Sequence, residues 1–216
     1  PHPAKRDPLW SRGLGDVYKR QMLHILENFD LGSMGHNSAD YIATVAEAMK
    51  WATIDKDKKM GDPAFETVPV GEFTDRAYAK ELAENIKRGE MANVVRYGQP
   101  EESKDTTHVT VVDEAGNAVS MTHSLGMPSG VVTNGLGFMY NGCMGAFDPR
   151  PGLPGSILPG KRRFTALCPT IVFKGDNPYI VVGAPGGTFI TCLLYTSPSP
   201  RDQRGSGVPG WGVKKK

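Results

Sequence analysis

Hydrophobic positions follow two different periods along this chain, and the change falls near residue 105. Upstream, Ser38 is placed to cap a helix in which Ile42, Val45, Ala46 and Met49 recur at the 3.6-residue spacing of one helical face. Gly61-Asp62-Pro63 is a strong stop signal, so that helix is expected to end before it. Thr74 is the expected cap of a second helix, with Tyr78, Leu82 and Ile86 on one face and Gly89 closing it. Downstream the period becomes 2. Val109, Val111 and Asp113 alternate with Thr110 and Val112, Glu114-Ala115-Gly116-Asn117 makes a turn, and Ala118 to Ser124 returns as the second arm of a hairpin. Thr170–Phe173 and Tyr179–Val182 form another pair around Lys174-Gly175-Asp176-Asn177. The Gly/Pro-rich stretch from Gly126 to Gly160 reads as a long loop, a feature that usually accompanies function.

The two ends differ from this middle. Residues 1–21 and 192–216 show no sustained period and are rich in Pro, Gly, Ser and basic residues, as linkers and tails are. The segments DVYKRQ and LLYTSPSPRDQR resemble translated sequencing-adapter read-through at the ends of environmental gene fragments. Both flanks are therefore read as foreign to the protein and expected to add little core.

Composition narrows the function classes. A hydrophobic content of 39% supports a real core. Twenty-five basic against 23 acidic residues leave a formal charge of +2, which gives no reason to expect nucleic acid or an anionic membrane as partner. No apolar run approaches the roughly 20 residues of a membrane span. Residues 1–21 lack the apolar segment of a signal peptide, which says nothing of compartment if the native start lies elsewhere. Cys143, Cys168 and Cys192 are scattered and odd in number, and read as small buried apolar residues rather than a disulfide framework or zinc site. No motif implies a metal or organic cofactor.

The candidate chemistry lies where the period changes. A polar linker, Gln99-Pro100-Glu101-Glu102-Ser103, runs through Lys104-Asp105 into a strand that opens Thr106-Thr107-His108. On its own a threonine opening a strand is ordinary, since Thr favours strands. His108 and His123 could face each other across the hairpin, and each reads as a satisfied strand histidine. Gly186-Gly187, after the strand Tyr179–Val182, would by themselves make a plain turn.

Several separated segments change these odds together. TTHVTVVDEAGNAVSMTHSLG, GFMYNGCMGAFDPRPG, PGKRRFTALCPTIVF and VVGAPGG resemble, in order and spacing, the small subunit of the γ-glutamyltransferase family. NSADYIATVAEAMKWATIDKDKKMGDPAF resembles the end of that family's large subunit. The resemblance covers about residues 22–191, dividing the chain into a large-subunit segment, 22–105, and a small-subunit segment, 106–191. It implies an α+β fold, part of the αββα sandwich of N-terminal-nucleophile hydrolases, with helices preceding antiparallel strands. It also implies a precursor that cuts itself between Asp105 and Thr106, making Thr106 the catalytic nucleophile. Cleavage would free an α-amine whose pKa of about 7.7–8.0 leaves a neutral fraction near pH 7, so one residue supplies nucleophile and base.

The remaining roles follow the same resemblance. Ser124 stands where the family has a threonine whose hydroxyl bonds the nucleophile, and Gly186 and Gly187 match the glycines of the oxyanion hole. The substrate side departs from the pattern. Where the family offers an Asn, an acidic or amide residue, an Asp and a Ser-Ser pair, this chain has Gly126, Cys143, Ala146 and Thr165-Ala166, so only Thr165 keeps a substrate-binding hydroxyl. The large-subunit arginine that pairs with the substrate carboxylate falls outside the sequence, and Pro149–Arg163 is short where many members carry a lid. The expected activity is acyl transfer or hydrolysis of a γ-glutamyl amide such as glutathione, completed by the rest of both subunits. An acylase for glutaryl-like amides is the alternative within the enzyme class. The alternative outside it is an inert fragment without a complete site. Many family members are exported, which is compatible with a periplasmic or extracellular location.

Overall fold

A computed structural model describes residues 15–95 and 106–186. The chain divides into two compact units, one of residues 1–100 with 143–165 and one of residues 101–142 with 166–216.

The first unit is helical. Helices α1 (Gly15–Leu26), α2 (Ala39–Lys59), α3 (Val70–Phe73) and α4 (Arg76–Lys87) precede a short 3-10 turn, Cys143–Ala146. Ser38 caps α2 as expected, its hydroxyl accepting from the Tyr41 amide at 3.1 Å. The buried side of α2 is rotated from the expected one: Thr44, Val45, Ala48, Ala52 and Asp55 are covered, and Ile42 is exposed. The cap of α4 is Asp75, accepting from the Ala77 amide at 2.7 Å, while Thr74 closes α3. Gly89, at φ 82°, ends α4 with the Glu90 amide on Asn85 O and its own amide on Ile86 O, the paired bonds of a Schellman cap.

Small residues make this core tight. Ala48 and Ala52 of α2 and Ala79 and Ala83 of α4 have no exposure, and neither do Ile25 of α1 and Phe73 of α3. A buried aromatic such as Phe73 is worth about 3–5 kcal/mol against truncation to Ala. Asp55 is one of the buried polar residues of this core, and it is satisfied by Gln21 Nε2 at 2.6 Å and Tyr78 Oη at 2.9 Å. That one carboxylate joins α1, α2 and α4. Burial, then the Asp55 hydrogen bond, pushes the Tyr78 phenol well above its ordinary range.

Residues 15–21 correct the expectation that the upstream flank adds little core. They form the first half of α1, and Val17, Tyr18 and Gln21 are buried beside Met22, Ile25 and Leu26. The stripe 17, 18, 21, 22, 25, 26 is a helical period that a boundary at 21 cuts in two. Residues 1–14 and 192–216 lie outside the described residues.

The second unit consists, among the described residues, of three antiparallel hairpins: β1 (Thr106–Val112) with β2 (Ala118–Ser124), β3 (Pro128–Val132) with β4 (Met139–Asn141), and β5 (Thr170–Lys174) with β6 (Asn177–Val182). The β1–β2 turn is built as the sequence suggests: Asp113 Oδ1 and Oδ2 accept from the Asn117 backbone and side-chain amides at 2.8 and 2.7 Å, and Gly116 takes φ 83°. The β3–β4 hairpin lies in the stretch expected to be loop, where glycines and mostly exposed apolar residues hide the period. Helices followed by antiparallel pairs make the fold α+β.

Candidate active site

The β1–β2 register decides which side chains meet. Thr106 is the first residue of β1 and pairs with Ser124, the last of β2; His108 pairs with Thr122, and Thr110 with Ser120. Directly opposed residues share a face of the sheet. One face of the hairpin therefore carries Thr106, His108 and Thr110 beside Ser124, Thr122 and Ser120. His123 pairs with Thr107 on the opposite face, so the two histidines do not confront each other.

Thr106 Oγ1 and Ser124 Oγ are 3.0 Å apart. The Gly126 amide donates to the same serine oxygen at 2.9 Å, which occupies one of its lone pairs and leaves its proton and the other lone pair for Thr106. Both hydroxyl-bearing residues are half-buried. This brings together the two residues assigned to nucleophile and hydroxyl partner.

The next rung is a histidine clamp: His108 is a satisfied strand histidine, as the sequence suggests, with partners that the sequence does not name. His108 Nδ1 lies 2.8 Å from Thr122 Oγ1, and Nε2 lies 3.0 Å from Thr110 Oγ1. Hydroxyls donate or accept, so a neutral ring is satisfied in either tautomer. Burial holds the imidazole below its ordinary pKa. Gly183, just after β6, lies against the ring: a Cβ there would be 2.2 Å from His108 Cε1. Ser120 Oγ donates to Val182 O at 3.1 Å, so the polar face of this hairpin rests on the end of β6. The signal that could have found this clamp is the run of hydroxyls and one imidazole at every second position of both arms.

Gly186 follows β6 with φ 139°, a backbone conformation open to glycine and strained for other residues. Gly187 and Asp105 lie outside the described residues. Thr165 is half-buried and belongs to the first unit, as do Cys143 and Ala146 of the 3-10 turn. Cys168 is buried as expected, whereas Cys143 is only partly covered. Among the described residues no group of three or more His, Cys, Asp or Glu is placed to hold a metal ion, and no helix is long and apolar enough to cross a membrane.

Beyond the Thr107–His123 pair, the opposite face of the β1–β2 hairpin is apolar, with Val109, Val111, Val119 and Met121 all exposed.

Comparison with known proteins converges on one group. A family model described as gamma-glutamyltranspeptidase matches residues 9–196, wider at both ends than the segment carrying the motifs. The glutathione hydrolase proenzyme of Escherichia coli is 38% identical over 197 residues, covering 83% of this chain and 34% of its own length. The acylase ACY 1 proenzyme of a Pseudomonas species is 41% identical over 172 residues, covering 79% of this chain and 31% of its own. Among solved structures, cephalosporin acylase from Bacillus halodurans superposes with a TM-score of 0.68 at 28% identity, covering 82% of this chain and 32% of that one. The chain thus spans about a third of the length of the curated relatives it matches.

Proposed function

The chain belongs to the gamma-glutamyltranspeptidase family, and from that premise we propose that its precursor cuts itself between Asp105 and Thr106 and that Thr106 is the nucleophile of an amide hydrolase or acyltransferase. The observation carrying this reading is the 3.0 Å approach of Ser124 Oγ to Thr106 Oγ1 at the first residue of a strand. The fold proposed for the whole protein is the αββα sandwich. The exposed apolar face of the β1–β2 hairpin supports it, because such a face needs a covering layer.

The chemistry follows from the residues. Once Thr106 is N-terminal, its α-amine takes the hydroxyl proton and Oγ1 attacks the substrate amide carbonyl, while Ser124 orients that oxygen. The tetrahedral oxyanion is received by the backbone N–H groups of Gly186 and Gly187. Collapse expels the amine with the transferred proton and leaves an ester on Thr106, which water or a second amine then cleaves. One residue serves as nucleophile and base, so His108 is left to shape the hairpin.

The donor is a γ-glutamyl amide such as glutathione or, in the second reading, an amide of a glutaryl-like acid. The second reading is favoured by Gly126, Cys143, Ala146 and Ala166, which lack groups to pair with a charged α-amino acid head. Its relatives include proteins named acylase. Sites built to pair polar groups discriminate by about 10⁴–10⁵, and apolar replacement gives that up. The test is kcat/KM of the complete enzyme on γ-glutamyl and glutaryl anilides. Comparable values support the acylase reading; strong preference for the glutamyl compound returns the enzyme to glutathione-type donors.

A further inference from the structure

The first compact unit contains residues from both sides of the proposed cut: residues up to 100, and residues 143–165. They meet where Gly61-Asp62-Pro63-Ala64-Phe65-Glu66, after α2, packs against the Pro154–Arg162 stretch. Arg162 gives Asp62 three hydrogen bonds: its backbone amide to Oδ2 at 2.8 Å, Nε to Oδ2 at 3.1 Å and Nη2 to Oδ1 at 2.8 Å. The Ala64 amide adds a fourth to Oδ1 at 3.1 Å. The Asp62 side chain is 1% exposed, so its charge depends on these donors. One turn further on, Lys161 Nζ, with its side chain also 1% exposed, bonds Glu66 Oε1 at 2.9 Å and lies 5.8 Å from the Phe65 ring centroid. Gly61 seats the backbone itself: a Cβ there would stand 2.6 Å from Pro154 O. Beyond Arg163, Phe164 packs on Tyr18 and under Lys56 Nζ.

These partners are 95 and 100 residues apart in sequence, with the Asp105–Thr106 bond between them. We propose that the Asp62–Arg162 and Glu66–Lys161 pairs form the lock that keeps the two product chains joined once that bond is cut. The partner surface for Gly61–Glu66 is thus the Pro154–Arg162 stretch of the other chain. The Asp62 carboxylate has four donors and almost no solvent, while the Arg162 side chain is 53% exposed. Neutralising Asp62 therefore costs the charge-assisted hydrogen bonds it accepts, and removing Arg162 would strand a buried charge. The lock also anchors the chain two residues before Phe164 and three before Thr165, so it fixes the entry to the substrate-side residues.

This inference rests on the cleavage reading, and its test separates the two. The full-length precursor and its Asp62→Asn variant are matured, shown by denaturing electrophoresis to be cut, then followed by native mass spectrometry through a urea series. The expected result is that both are cut, and that the chains of Asp62→Asn separate with a dissociation constant at least about tenfold higher. In parallel, zero-length carbodiimide coupling of the wild type should give an isopeptide link between Glu66 and Lys161 that joins the two chains. A cut Asp62→Asn variant whose chains separate as the wild type's do overturns the lock while leaving the cleavage reading intact. Should that variant fail to fold, absence of the Glu66–Lys161 link in the wild type overturns it. A wild type that is never cut overturns both.

Discussion

Gly183 lies so close to His108 that a methyl group on it would overlap the imidazole, 2.2 Å from Cε1, 2.5 Å from Nδ1 and 2.7 Å from Nε2. The ring cannot simply swing away, because each nitrogen is held by a hydroxyl, Thr122 on one side and Thr110 on the other. Glycine at 183 is therefore what lets the β1–β2 hairpin rest on the end of β6. Gly183→Ala is expected to cost roughly 1–3 kcal/mol, as overpacking does. Thermal denaturation should show a fall of several degrees, mostly recovered in the Gly183→Ala/His108→Ala double variant. No loss in the single variant would mean that the ring is not packed there.

The same histidine sets an acid limit. Its folded-state pKa is lowered by burial, while the unfolded value is about 6.5. Above that value both states are neutral. As pH falls below it the unfolded chain takes up a proton that the folded chain resists, so stability declines from about pH 6.5 downward until the folded ring also protonates. His108→Gln should flatten that part of the stability curve. Tm measured from pH 8 to 5 for both proteins decides it, and parallel curves would remove His108 as the cause.

Ser124 is expected to matter through one hydrogen bond and its geometry. Ser124→Ala removes the contact to Thr106 Oγ1 and the acceptor for the Gly126 amide. A hydrogen bond worth about 1 kcal/mol corresponds to roughly fivefold in rate. Cleavage and kcat should both fall by that much or more, with Ser124→Thr close to wild type. A Ser124→Ala enzyme of full kcat would reduce the serine to a strand-end residue.

How much of this was legible in sequence depends on how local the cause is. The Ser38 cap and the Asp113–Asn117 turn are contacts between residues at most four apart, and both are where the pattern places them. The buried side of α2 is set instead by Gln21 and Tyr78 reaching Asp55 from other helices, which no periodicity within α2 reveals. The choice between Thr74 and Asp75 as cap turned on α3, four residues too short to announce itself. The relation of His108 to His123 failed by one step of register: a one-residue slip sends a side chain to the other face. The clamp on Gly183 joins residues 75 apart, a distance across which pattern carries nothing.

Gly186 tests the oxyanion reading within the described residues. At φ 139° an alanine is strained by about 1–3 kcal/mol, and the tilt of the following amide would change with it. Gly186→Ala should lower kcat by roughly 10²-fold with KM little moved, since such donors act on the transition state. A folded variant with normal kcat would return Gly186 to a turn.

The central claim is that Thr106 becomes the N-terminus of the small subunit. The most direct measurement is N-terminal sequencing, with intact mass, of the smaller product of the full-length precursor. It should begin Thr-Thr-His-Val, and Thr106→Ala should remain a single inactive chain. A product starting at any other residue, or an uncut precursor with full activity, would contradict the account.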